Sequence, residues 1–157
     1  MKTIESVLIS QGDLERIYVG ELKLFLWRSL HKEGQVTNPL YPDFEPREVR
    51  AGIMRAPDVE TKTISGKIYV IAKLGQGTSL FDKPGTFGHK HWTYFEIPEG
   101  TEIPPGLIIV KDAYNKKYKA THYSLSPNST MPKKRFTQLL DQLVRNAVAR
   151  KGQLNHG

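Results

Sequence analysis

Apolar residues along the chain recur mainly at every second position, and only near the C-terminus do they take the spacing of a long helix. Leu22, Leu24 and Leu26 alternate with Lys23, Phe25 and Trp27, so residues 22–27 read as a strand with an aromatic second face that delivers Arg28 at its end. Residues 68–74 form a β-rich run closed by Gly75 and Gly77. Residues 78–81, 91–97 and 107–111 continue the series, parted by Pro84-Gly85, Glu99-Gly100 and Pro104-Pro105-Gly106, where fixed proline φ and glycine freedom suit turns. Residues 118–125, closed by Pro127, complete about six strands.

Phe136, Leu139, Leu140, Leu143, Val144, Ala147 and Val148 step by three and one in turn, an apolar stripe that predicts a helix over about 133–150. Ile4, Val7, Leu8, Leu14 and Ile17 suggest a weaker helix or helix-turn broken at Gly12. Between residues 38 and 59 the four prolines at 39, 42, 46 and 57 exclude a helix interior or central strand, so a long ordered loop is expected. Loops of that length are more often functional than idle, which draws attention to Arg47, Arg50, Arg55 and Asp58. Strands without alternating long helices predict a single α+β domain over residues 1–157.

The absence of cysteine excludes a disulfide framework, a thiolate metal site and a cysteine nucleophile. Hydrophobic and charged shares of 38% and 25% are those of a globular protein. No apolar run approaches the ~18 residues of a membrane span, and the first residues lack the features of a signal peptide. No membrane partner is expected, and export is expected to use a route without a cleaved signal.

The net charge of +7 changes the picture once it is located. Residues 111–151 hold ten basic side chains against Asp112 and Asp141, a local +8, while the remainder sums to −1. Such a field implies an anionic partner, whether nucleic acid, a phosphate-bearing small molecule or an acidic protein, unless it is a solvated basic face. Lys133, Lys134 and Arg135 open the predicted helix, where the positive end of its dipole disfavours each cation by ~0.3–1 kcal/mol. An anion docked there would offset that cost.

Gly75-Gln76-Gly77-Thr78-Ser79 places two hydroxyls after a glycine turn, a geometry that lets a ligand approach the backbone or serves simply as a turn. Neither a Walker loop nor a dinucleotide fingerprint is present. His89 and His91 would share a strand face, but no third metal ligand follows at a recognisable spacing, so no metal is expected. His122, inside a predicted strand, suits either a satisfied buried imidazole or a general acid or base.

Several of these segments appear together in one order: Arg55-Ala56-Pro57-Asp58, Gly77-Thr78-Ser79-Leu80-Phe81-Asp82, Ile97-Pro98-Glu99-Gly100-Thr101-Glu102-Ile103-Pro104-Pro105, Tyr114-Asn115-Lys116, Ala120-Thr121-His122-Tyr123 and Val144-Arg145-Asn146-Ala147. Over about residues 55–148 the set resembles a group of type VI secretion effector toxins similar to mono-ADP-ribosyltransferases. Leu24-Phe25-Leu26-Trp27-Arg28 resembles the first strand of such transferases.

The resemblance implies a compact fold of two small antiparallel sheets with flanking helices. NAD would be the substrate, Arg28 would anchor its phosphate or ribose, Thr78 and Ser79 would shape the pocket, Arg55 would assist and His122 would orient or polarise. It also implies residence in the producer cytoplasm with a cognate immunity protein, export with a possible carrier of the secretion apparatus, and action on a macromolecule in the recipient cytoplasm. The usual transferase adds a late-strand Glu, whereas residues 118–125 carry no carboxylate; Glu96, Glu99 and Glu102 are near candidates. A metal-independent ribonuclease using His122, or a non-catalytic NAD- or protein-binding toxin, are the alternatives.

Overall fold

The computed structural model describes residues 2–34 and 37–156. Its framework is α1 (Ile4–Ser10), β1 (Ile17–Tyr18), β2 (Leu26–His31), β3 (Arg47–Arg50), β4 (Ile53–Arg55), β5 (Thr61–Ile64), β6 (Lys67–Val70), β7 (Thr78–Phe81), β8 (Trp92–Ile97), β9 (Leu107–Asn115), β10 (Ala120–Pro127), β11 (Met131–Pro132) and α2 (Lys133–His156). The class is α+β. Where two small sheets were expected, the described residues form a six-stranded sheet in the order β1-β9-β10-β7-β2-β8, a three-stranded sheet β11-β6-β5 and the hairpin β3-β4. All pairings are antiparallel.

The large sheet is sandwiched unequally. On one face Leu26, Leu80, Ile97, Leu107, Ile109 and Leu125 meet Phe136, Leu140, Leu143 and Ala147 of α2 in the main core. Phe136 is fully buried, and truncating such a phenylalanine to alanine costs about 3–5 kcal/mol. The other face of β9 packs Ile108 and Val110 beneath Ile4 and Leu8 of α1. A Thr3–Ser6 capping box starts that helix, and Gly12 at φ 79° lets the chain leave it. Val148, expected on the α2 stripe, is instead 59% exposed, whereas its neighbour Ala147 is buried.

Several expected boundaries move. β2 begins at Leu26 rather than Leu22, so Arg28 is its third residue and not its end. Leu22 is held by backbone bonds to Thr101 and Gly100, outside any strand. The long loop contains the β3-β4 hairpin, whose residues are exposed and therefore lack the half-buried alternation that marks a strand. β5 was also missed, although Ser65 and Gly66 at φ 50° and 79° supply the two-residue turn linking it to β6. β8 starts at Trp92, leaving His89 and His91 in the preceding turn. His91 stacks on His31, while the His89 ring meets that of Tyr94 edge-on.

The segment over residues 38–58 roofs one end of the large sheet. Asp141 of α2 accepts hydrogen bonds from Asn38 Nδ2 and the Tyr41 hydroxyl, each at 2.8 Å. Burial and the Asp141 carboxylate push the Tyr41 phenol above its ordinary pKa. Beneath the roof, Thr78 Oγ1 donates to the Leu40 carbonyl at 2.6 Å.

Candidate functional site

Strand β2 carries Arg28 under the roof, paired with Phe95 of β8. Its Nη1 lies 3.4 Å from the Ser79 carbonyl oxygen and its Nη2 lies 3.5 Å from that of Tyr41, both long for hydrogen bonds. Nε is buried without a partner, and so is the neighbouring hydroxyl of Ser29. Burial lowers the Arg28 pKa from its ordinary value, against the opposing fields of Asp58 and Asp43. The group nonetheless remains a cation, and a buried cation with loose contacts is costly until an anion supplies the missing bonds.

Arg28 opens onto a cavity of about 790 Å³. Arg47 and Arg55 from the hairpin line it together with Glu33, Asp43, Glu48 and Asp58, and so do the rings of Phe81, Phe87 and Trp92. Asp58 organises the charged lining, accepting the Asp43 backbone N–H at 2.6 Å and facing Arg55 at 3.4 Å. Arg47 faces Asp43 at 3.5 Å. The two arginines are half exposed, so each pair contributes at most about 1 kcal/mol and is readily exchanged for another anion. Phe87 packs at 4.9 Å from Trp92 and 5.8 Å from Phe81, forming a continuous aromatic wall.

The sequence candidates divide around this cavity. Arg28, Arg55 and Ser79 line it. Thr78 precedes Ser79, so strand alternation turns it inward, fully buried and bonded to Leu40. His122 is not among the lining residues, but it pairs in register with Phe81, and the rings meet edge-on at 5.2 Å. The basic last third is partly tied to the framework: Arg150 donates to the Glu99 carbonyl, Lys151 pairs with Glu96, and Lys133 sits 4.4 Å over the Phe44 ring. That cation–π contact gives one helix-opening cation a reason to be there.

Asp112 is the residue that sequence reasoning missed. β9 continues to Asn115 rather than stopping at Lys111, which brings Asp112 alongside β10. Its Oδ2 lies 2.8 Å from His122 Nδ1 and accepts the Ser124 hydroxyl at 2.6 Å. Arg16 Nη2 stands 3.9 Å from Oδ1. The continuing alternation of Ile108, Val110, Asp112 and Tyr114 was the available signal, since those positions share one face.

An antiparallel α+β framework with a cleft that sets three arginines among Glu33, Asp43, Glu48 and Asp58, and carries aromatic rings besides, defines an enzyme-type site for a polar, ring-bearing ligand. The chain belongs to the Tse2 ADP-ribosyltransferase toxin family, whose sequence model matches residues 7–152. Toxin Tse2 of Pseudomonas aeruginosa is 33% identical over 142 residues, covering 89% of this chain and 87% of the relative. The protein is thus an antibacterial effector toxin of the ADP-ribosyltransferase class, and NAD is the substrate that this class implies.

Proposed function

We propose that NAD occupies the cavity over β2 and β7 and that ADP-ribose passes from it to a macromolecule in the recipient cytoplasm after type VI delivery. The observation that carries this reading is the buried, unpartnered Nε of Arg28 in the cavity wall. A pyrophosphate would bond the outer Nη groups, whose carbonyl contacts are long, and so complete the bonding of the guanidinium, with Arg55 as a second anchor. Phe81, Phe87 and Trp92 offer faces for an aromatic base, and Ser79 offers polar lining beside them. A cavity of this size lies within the range of small-molecule sites.

A cognate immunity protein in the producer fits the same reading, with the basic last third as a surface for an acidic partner. Incubation with labelled NAD and bacterial lysate, scoring free nicotinamide and labelled macromolecules with Arg28→Ala alongside, tests it. Release and labelling that disappear in the variant support transfer. Release without labelling would mean a glycohydrolase, and no turnover of NAD with degraded RNA would move the assignment to a ribonuclease.

A further inference from the structure

We propose that Asp112 is a positioning residue for His122, fixing the imidazole so that Nε2 is the proton acceptor for the ADP-ribosylated group. The inference rests on the transferase reading above and extends it to a carboxylate outside the cavity.

The geometry is specific. An Asp112 oxygen at 2.8 Å from Nδ1 accepts the N–H of that nitrogen, so that whenever the ring is neutral the lone pair sits on Nε2. The same oxygen takes the Ser124 hydroxyl, and Arg16 faces the other oxygen at 3.9 Å. The carboxylate is therefore held by three side chains from two elements, Arg16 of the segment before β1 and His122 and Ser124 of β10. Its side chain is 18% exposed, against 29% for His122, so the imidazole remains the more accessible of the pair. A carboxylate that orients a histidine and supports its positive charge once protonated is the division of labour in hydrolase triads.

The pair stands next to the ligand site, since the Phe81 ring that contacts His122 also lines the cavity, and the acceptor would meet Nε2 at the cavity margin. In transfer, the bond from the ribose anomeric carbon to the nicotinamide nitrogen breaks and neutral nicotinamide leaves with the electron pair. The oxygen or nitrogen of the acceptor forms the new bond to that carbon, and its proton passes to His122 Nε2. Asp112 then stabilises the imidazolium without taking the proton.

The test joins a spectroscopic readout to a kinetic one. Long-range nitrogen–proton NMR correlations of histidine-labelled protein, followed to a pH at which the ring is neutral, should show His122 in the Nδ1-protonated form. Asp112→Asn, whose amide can donate to Nδ1, should lose that preference, whereas Ser124→Ala should keep it. Turnover to macromolecules should fall about 10²- to 10⁴-fold in Asp112→Asn with KM for NAD unchanged. An Nε2-protonated or mixed His122 in the unmodified protein, or full turnover in Asp112→Asn, would overturn the proposal. If the unmodified protein shows the expected tautomer but consumes no NAD, the transferase reading fails while the positioning by Asp112 stands.

Discussion

Arg28 and Ser79 meet across the β2–β7 boundary with the guanidinium Nη1 3.4 Å from the serine carbonyl oxygen, a contact to backbone that leaves the serine hydroxyl free of it. Ser79→Ala should therefore leave Arg28 in place, and any loss of NAD turnover in that variant reports the hydroxyl itself. Arg28→Met should behave differently. It removes a buried charge whose bonds are incomplete, so the melting temperature should hold or rise while nicotinamide release disappears. Thermal unfolding and NAD turnover on the same preparation check both statements, and a large drop in melting temperature would show that Arg28 is needed for folding.

Thr78 and Ser79 should part company under mutation. Thr78→Val preserves shape but deprives the Leu40 carbonyl of its donor, at an expected loss of about 1–3 kcal/mol. Urea unfolding should register that loss, while turnover per folded molecule stays near the parent value. A Thr78→Val protein that is stable but inactive would argue for direct contact with substrate.

Gly77 has no room for a side chain. A Cβ there would strike the Leu125 carbonyl and stand 2.6 Å from Ser126 Oγ. Gly77→Ala must push β7 away from β10, and a cost of roughly 3 kcal/mol or more is expected. The measurement is the unfolding midpoint, accompanied by loss of toxicity on expression without an immunity protein. Gly75, at φ 81° with open space around its Cβ position, should show only the milder penalty of the left-handed conformation.

Tyr123 gives the fold an alkaline limit. Burial first, then Tyr18 and Asp82, pushes its phenol up to about 12, against about 10 in an unfolded chain. The raised value means the folded state holds this proton more tightly. The associated stability is complete below about pH 10 and is lost as pH climbs towards 12. Tyr123→Phe should flatten the decline in the urea midpoint between about pH 9 and pH 11, leaving a residual slope from Tyr41, which is raised as well. An equal slope in both proteins would contradict this account.

What could be read from the sequence follows burial. β7, β8, β10 and α2 place apolar residues against one core, so periodicity marked them. The exposed hairpin Arg47–Arg55 has no such contrast and looked like loop, although its arginines were marked through charge and proline content. Arg28 was marked by strand alternation and Ser79 by the glycine turn before it, each with a family likeness, and both line the cavity. Asp112 was not, because its role depends on the β9–β10 register, which brings it near residues ten and twelve positions later. Within residues 111–151 it had counted only as one of two negative charges.

Asp141 fastens the roof of the cleft from a helix that follows it by about a hundred residues. A ribosome releases residues 38–58 long before it makes α2, so for most of its synthesis the nascent chain has strands to pair but no anchor on which to seat the roof. The cleft closes only when the C-terminal helix emerges and docks. A finished cleft therefore has to wait until nearly the whole chain has been made.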